Sequence, residues 1–132
     1  MPTLAELKKF FNKQISTQEA EMAKFQERLS DNAAYAFVWA EGVMRTTARA
    51  QVAKHYLTSI SNWEAAAAAG SLSNEQPQNQ EEAVEYIRKS VLNQAIRRNA
   101  NISRSTSMTS NFMEQEESAF YAYIISEWDF ML

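Results

Sequence analysis

The chain has 132 residues, a net charge of −3 and no cysteine, and 45% of its residues are apolar and 11% aromatic. This composition is too hydrophobic for a disordered chain, yet no apolar run approaches the roughly 20 residues of a membrane span. The lack of cysteine excludes disulfides, thiolate catalysis and cysteine-based zinc sites. We therefore expect one soluble domain over residues 1–132. Because no basic segment followed by an apolar one opens the chain, we expect it in the cytoplasm.

Glycine and proline are scarce, with two of each in the whole chain. Sheet proteins need turn residues every 8–12 positions, and this chain does not supply them. The sequence therefore predicts an all-α fold, a compact bundle of four to six helices.

The first helical region begins after Thr3, which forms a capping-box pattern with Glu6. Apolar residues follow at helical spacing, interrupted by a second capping pattern at Ser16 and Glu19. The region from residue 3 to 30 is therefore one helix or two, and a break or kink at residues 16–18 is the favoured interpretation. The apolar stripe consists of Leu4, Leu7, Phe11, Ile15, Met22, Phe25 and Leu29.

A second unit begins at the capping residues 30–32 and ends at Gly70, a natural helix stop. Its stripe covers about 30 residues, or some 45 Å of helix, so it either breaks near residues 45–49 or protrudes as one long helix in the 31–69 region. Gly42 inside this unit indicates a close helix crossing, more readily internal than between subunits. The stripe consists of Phe37, Ala40, Met44, Ala48, Val52, Tyr56, Ile60, Trp63 and Ala67.

Residues 71–80 form a polar loop containing Pro77, and a third helix follows, with Glu81 and Glu82 favourably placed in its first turn. It is expected to end near residues 99–101. A second linker leads to a last helix capped by Ser110 or Asn111. The predicted buried face of the third helix consists of Val84, Ile87, Val91, Ala95 and Ile96.

The last helix is apolar on nearly every side, which is typical of a helix buried all round. One face holds Phe120, Ile124, Trp128 and Met131, and an adjacent face holds Tyr121, Ile125, Trp128 and Leu132. Such a segment is either the central rod of the bundle, a helix packed on all sides by the others, or a helix with one face that binds a partner. Its predicted partner-binding residues are Trp128, Phe130, Met131 and Leu132.

Charge is unevenly placed: residues 86–111 carry bases without an acid, and residues 112–132 carry acids without a base. The favoured interpretation is that the two segments face each other within the fold. The alternative is a basic face that follows a phosphate backbone. The candidates for such nucleic-acid binding are Arg45, Arg49, Lys54, Arg97, Arg98 and Arg104.

Catalytic and cofactor patterns are absent from the sequence. His55 is the single histidine, and its neighbours one turn away, Gln51 and Ser59, are poor metal ligands. No Glu-x-x-His tetrapeptide of the di-metal bundles occurs, and two isolated glycines form no phosphate-binding loop. We therefore expect no enzyme, no metal and no cofactor.

These observations favour a small non-catalytic interaction protein, an inhibitor, adaptor or regulator that binds another protein or a copy of itself. A viral or mobile-element origin suits the composition as well as a host one. The alternatives are a nucleic-acid-associated regulator with basic helix faces and a structural subunit of a symmetric helical assembly. No membrane partner is expected.

Overall fold

A computed structural model describes residues 2–102 and 108–128 of the chain. Four helices account for most of this part, and no strand occurs in it. The predicted all-α bundle is thereby confirmed, at the lower end of the expected four to six helices. The helices are α1 (Leu4–Asp31), α2 (Ala36–Ala68), α3 (Gln80–Ile102) and α4 (Met108–Trp128), with a short 3-10 turn at Ala33–Tyr35 between α1 and α2.

Side-chain pairs fix the relative directions of the helices. Lys8 contacts Glu64, and Phe25 lies against Gly42, so α1 and α2 are antiparallel. Arg98 near the end of α3 pairs with Glu114 near the start of α4, so these helices are antiparallel as well. The start of α1, the end of α2, the start of α3 and the end of α4 consequently lie at one end of the bundle.

The core joins all four helices and lies toward that end. Phe11 stacks on Tyr56 with ring centroids 5.4 Å apart, and Tyr56 meets Tyr121 edge to face at 6.2 Å. The Tyr56 hydroxyl also lies 3.0 Å from Ser90 Oγ on α3. The buried cluster consists of Leu4, Leu7, Phe10, Phe11, Val52, Ala53, Tyr56, Ile60, Ala83, Val84, Ile87, Val91, Phe120, Tyr121 and Ile124.

Helix α1 runs unbroken through residues 16–18, so the region from residue 3 to 30 contains one helix and the predicted break is wrong. Its predicted start is confirmed, because Thr3 Oγ1 accepts a hydrogen bond from the Glu6 backbone N–H at 3.1 Å. Gln18 is buried inside the suspected break. Packing of α1 along α2 outweighs the weak preference of serine and threonine for caps over helix interiors.

Helix α2 is also continuous, and its 33 residues span about 50 Å. The long-helix alternative for the 31–69 region is therefore confirmed, and Gly70 follows α2 with φ +67°. The predicted burial of Phe37 is wrong, because its side chain is 90% exposed. At 100° per residue, a stripe spaced mostly by four drifts, and Phe37 is rotated by about 100° from Tyr56.

Helix α3 begins after Asn79, and its predicted face is buried at Val84, Ile87 and Val91. Ile96 is the exception, because its side chain is 72% exposed. It follows Ile87 by nine residues, about two and a half turns, and therefore lies on the opposite side of the helix. Its predicted burial is wrong for that reason.

Helix α4 is not buried all round, so the central-rod interpretation is wrong. Phe120, Tyr121 and Ile124 are buried and Ile125 is partly buried, whereas Tyr123 is 45% exposed. Helix α4 packs chiefly on α3 and α2, and the rings of Tyr123 and Trp128 also contact Phe10 of α1. Some apolar side chains of α4 therefore lie in the core, whereas Tyr123 is partly exposed to solvent.

Candidate functional site

A cleft of about 480 Å³ opens between the second half of α2, the linker after it and the first turns of α3. Its floor belongs to the core, because Leu4, Ile60 and Ile87 are buried beneath it. The aromatic side chains of Trp63 and Tyr86 flank it from α2 and α3. The cleft is lined by Leu4, Ser59, Ile60, Asn62, Trp63, Ser73, Glu75, Gln76, Pro77, Ala83, Tyr86 and Ile87.

The two aromatic walls differ in how they are held. Trp63 Nε1 donates a 2.8 Å hydrogen bond to the carbonyl oxygen of Pro77, which fixes the indole and ties the linker to α2. Tyr86 is 62% exposed, so its ring projects beside the cleft. A cleft lined by a fixed indole, an exposed phenol ring and an apolar floor can hold an apolar group, while the polar rim can hydrogen-bond a ligand backbone.

The rim of the cleft is a hydrogen-bonded loop. Gln78 Nε2 donates to the carbonyl oxygens of Ser73 at 2.7 Å and Gln76 at 2.8 Å, and Gln76 Oε1 accepts from the Ser73 N–H at 2.8 Å. Asn79 caps α3, because its Oδ1 accepts from the Glu82 N–H at 2.8 Å. The Glu82 carboxylate in turn accepts from the Gln78 N–H at 2.8 Å. The polar loop predicted over residues 71–80 is thus an ordered wall of the cleft.

Negative charge surrounds the cleft. Between Lys54 and Arg88 the sequence contains five glutamates, at positions 64, 75, 81, 82 and 85, and no lysine or arginine. Glu64 pairs with Lys8 at 2.9 Å, and Glu85 pairs with Arg88 at 3.0 Å. The other three are exposed, and within the described residues none of them forms an ion pair with a lysine or arginine. No ion pair among the described residues therefore neutralises Glu75, Glu81 or Glu82.

Trp128, the first of the predicted partner-binding residues, packs on the bundle's own core. Its ring meets Phe10 edge to face with centroids 5.4 Å apart, and its side chain is partly buried. Its Nε1 is buried and has no hydrogen-bond partner among the described residues. Phe130, Met131 and Leu132 lie outside the described residues, and the partner-binding role of all four stays a prediction.

Two of the predicted nucleic-acid-binding residues share one carboxylate on α4. Arg45 Nε lies 3.2 Å from Glu116 Oε1, and Arg49 Nη2 lies 3.3 Å from Glu116 Oε2. The Glu116 side chain is only 16% exposed, so the two guanidinium groups partly cover it. These arginines attach α4 to α2.

The remaining basic candidates are not gathered on one surface with this pair. Arg98 Nη1 lies 3.1 Å from Glu114 and 3.0 Å from Glu117, as expected if the basic and acidic segments face each other. Lys54 lies 3.9 Å from Glu19 on α1. Arg97 is exposed on α3, and Arg104 lies outside the described part of the chain.

A smaller polar pocket of about 300 Å³ adjoins the Arg98 ion pairs and includes His55, Glu117 and Tyr121. Burial raises the pKa of Glu117 above its ordinary value, although the nearby Arg98 opposes the shift. Burial likewise raises the pKa of Tyr121, and it raises the pKa of Tyr56 further. His55 is exposed at the edge of this pocket, with its ring 5.1 Å from that of Tyr56.

The sequence does not indicate the cleft, because the helical periodicity and the charge pattern place its aromatic residues in other groups. Trp63 belongs to the α2 stripe, and Tyr86 lies among the bases of the third helix. The available signal was the run of five glutamates without a lysine or arginine between Lys54 and Arg88, together with aromatic residues on both sides of a ten-residue linker.

Within residues 2–102 and 108–128, no group of three or more acidic or histidine side chains is arranged to hold a metal ion. No helix in this part is long and apolar enough to span a membrane. Comparison with protein-family models, with curated proteins and with solved structures gave no match.

Proposed function

We propose that this protein is a small non-catalytic interaction protein that binds a macromolecular partner at the cleft between α2, the linker and α3. The observation that carries the proposal is that Trp63 and Tyr86 both line a cleft whose floor consists of core side chains. Tryptophan and tyrosine are the residues that most often dominate binding energy at protein interfaces.

The order of the rim supports this proposal. The linker is held by the side chains of Gln76 and Gln78 and by the Trp63–Pro77 hydrogen bond. A wall that is already ordered loses little conformational entropy when a partner binds, so more of the contact energy remains as affinity. A polar linker without such hydrogen bonds would lose more conformational entropy on binding, and its affinity for the partner would be lower.

The exposure of Tyr86 favours a protein partner over an enclosed small molecule. Pockets for small ligands bury most of the ligand surface, whereas this cleft is flanked by a ring that is 62% exposed. A protruding side chain of another protein can pack on the apolar floor of the cleft and against the exposed ring of Tyr86 at its edge.

A second proposal, a subunit of a symmetric assembly, is supported by the start of α2. Phe37 is 90% exposed and the adjacent Val38 is 45% exposed, which leaves apolar surface in water at the turn between α1 and α2. If two copies bury this surface against each other, sedimentation of the wild-type chain gives a dimer and Phe37→Ser gives a monomer. A wild-type monomer at high concentration removes this proposal.

Affinity capture with matched variants tests the leading proposal. The full-length wild-type chain, Tyr86→Ala and Ile96→Ala are each used to capture proteins from an extract of the source cells. Tyr86 and Ile96 are both exposed on α3, but only Tyr86 lines the cleft. We expect a protein that is retained by the wild type and by Ile96→Ala and lost with Tyr86→Ala. Equal retention by all three variants would contradict a role for the cleft.

A further inference from the structure

The lining of the cleft contains a negative charge in addition to its apolar floor. Glu75 is the one charged residue in its lining. Leu4 also lines a neighbouring depression, whose lining includes Glu81 on the first turn of α3. Both carboxylates are exposed, and neither forms an ion pair with a lysine or arginine of the described residues. A ligand in the cleft therefore lies beside the Glu75 carboxylate, which no ion pair among the described residues neutralises.

Several other carboxylates of the described residues are neutralised by internal ion pairs. Glu114, Glu116 and Glu117 on α4 are covered by arginines from α2 and α3. Glu64, beside the cleft on α2, is paired with Lys8. Glu75, in the lining of the cleft, and Glu81, in the lining of the neighbouring depression, thus remain without an ion pair among the described residues.

We propose that the cleft binds a short segment of a partner protein in which an apolar side chain is flanked by lysine or arginine. This inference rests on the proposed function and specifies the chemistry of its partner. The apolar side chain enters between Trp63 and Tyr86 and loses its contact with water, which supplies affinity. The flanking cations lie near Glu75 and Glu81, which orients the segment and speeds its association. A segment flanked by acids is rejected by the same charges.

The test begins with an unbiased probe, a library of random 12-residue peptides displayed on phage and selected on the immobilised full-length chain. We expect the selected peptides to contain an aromatic or aliphatic residue with lysine or arginine within a few positions of it. One selected peptide is then synthesised with a fluorophore, and its affinity for the wild type and for four variants is measured by anisotropy at low salt.

The variants separate the apolar contact from the charge. Tyr86→Ala is expected to weaken binding at least tenfold, and Ile96→Ala to leave it unchanged. Glu75→Gln combined with Glu81→Gln is expected to weaken binding about tenfold at low salt and less at high salt. Glu82 is kept, because its carboxylate holds the loop through Gln78. Glu27→Gln with Asp31→Asn removes the same net charge at the far end of α1, which controls for general attraction of cationic peptides.

The outcomes distinguish this inference from the proposed function. Peptides that need Tyr86 but are neither enriched in bases nor weakened by the Glu75 and Glu81 substitutions overturn the inference and leave the proposed function standing. Peptides that are insensitive to Tyr86→Ala, or weakened equally by the control pair at residues 27 and 31, overturn the cleft as the binding site. Base-enriched peptides that respond to Tyr86 and to the Glu75 and Glu81 pair alone support both.

Discussion

The ring of Phe25 on α1 lies against the backbone of Gly42 on α2. A methyl group added at Gly42 would meet Phe25 Cε2 at 2.6 Å, closer than carbon atoms pack. The glycine expected to mark a close helix crossing therefore marks one inside the chain. The approach of α1 to α2 along their outer halves depends on the absence of that side chain.

We expect Gly42→Ala to destabilise the fold by about 1–2 kcal/mol, because the Phe25 ring must move out of its packed position. In a Phe25→Ala background the same substitution should stabilise by about 1 kcal/mol, the ordinary preference of a helix for alanine over glycine. Urea unfolding of the four chains measures both effects. If Gly42→Ala changes the free energy of unfolding in the same direction in both backgrounds, the packing of the Phe25 ring does not depend on the glycine.

The second prediction concerns pH and Glu117. Burial raises the pKa of this carboxyl in the folded chain, so the folded state holds its proton more tightly than the unfolded state does. Stability attributable to Glu117 is therefore greatest at low pH and is lost as pH rises from about 4.5 through the raised pKa.

Glu117→Gln removes this titration while keeping the shape of the side chain. We expect the unfolding free energy of the wild type, relative to Glu117→Gln, to fall as pH rises from 4 to 7. Denaturant titrations at several pH values measure this difference. A relative stability that rises with pH would show instead that the Arg98 ion pair dominates the environment of Glu117.

The third prediction concerns the arginine pair on α2. Replacing Arg45 and Arg49 together by alanine leaves the carboxylate of Glu116, only 16% exposed, without its two cations. We expect a loss of about 1–2 kcal/mol, between the values of surface and buried pairs. Lys54→Ala is the control, because its contact with Glu19 is long and exposed, and it should change stability by less than about 0.5 kcal/mol.

The same variants separate a structural role of these arginines from nucleic-acid binding. If Arg45 and Arg49 form a phosphate-binding face, the wild type binds a DNA duplex at 50 mM salt with a steep salt dependence, and the double variant does not. We expect no such binding. A salt-dependent affinity that needs both arginines would favour the nucleic-acid alternative.

The fourth prediction concerns Trp128. Its indole packs on Phe10 and on the core, so Trp128→Ala should destabilise the fold by about 2–3 kcal/mol, less than a fully buried tryptophan. The neighbouring exposed Glu127→Ala should have little effect. Thermal or urea unfolding of both variants measures this. If Trp128→Ala leaves stability unchanged, the partner-binding prediction for this residue gains support over a structural role.

The sequence predicted the fold class and most of the core, because scarce glycine and proline and strong helical periodicity leave few alternatives. Where it failed, long-range packing decided the outcome. Ser16 and Glu19 resemble a helix start, yet packing on α2 keeps α1 continuous there. Phe37 and Ile96 were assigned to buried faces by spacing alone, and the cumulative rotation of the helix turns both outward.

The candidate site was harder to predict than the fold, because Leu4 of α1 and residues from three later segments form it together. Trp63 reaches the cleft from α2, Pro77 from the linker and Tyr86 from α3. Their proximity follows from the antiparallel return of α3, which no local pattern encodes. The negative charge near the cleft is nevertheless visible in the sequence, because five glutamates and no lysine or arginine lie between Lys54 and Arg88.

The most direct test of the central claim, that this protein binds its partner at the cleft between α2, the linker and α3, is chemical-shift mapping. Amide resonances of the 15N-labelled chain are followed during titration with the selected peptide. We predict that the largest shifts fall on residues 59–63, 73–77 and 83–87. Shifts concentrated instead around Phe37 and Val38, or on the exposed face of α3 around Ile96, would contradict it.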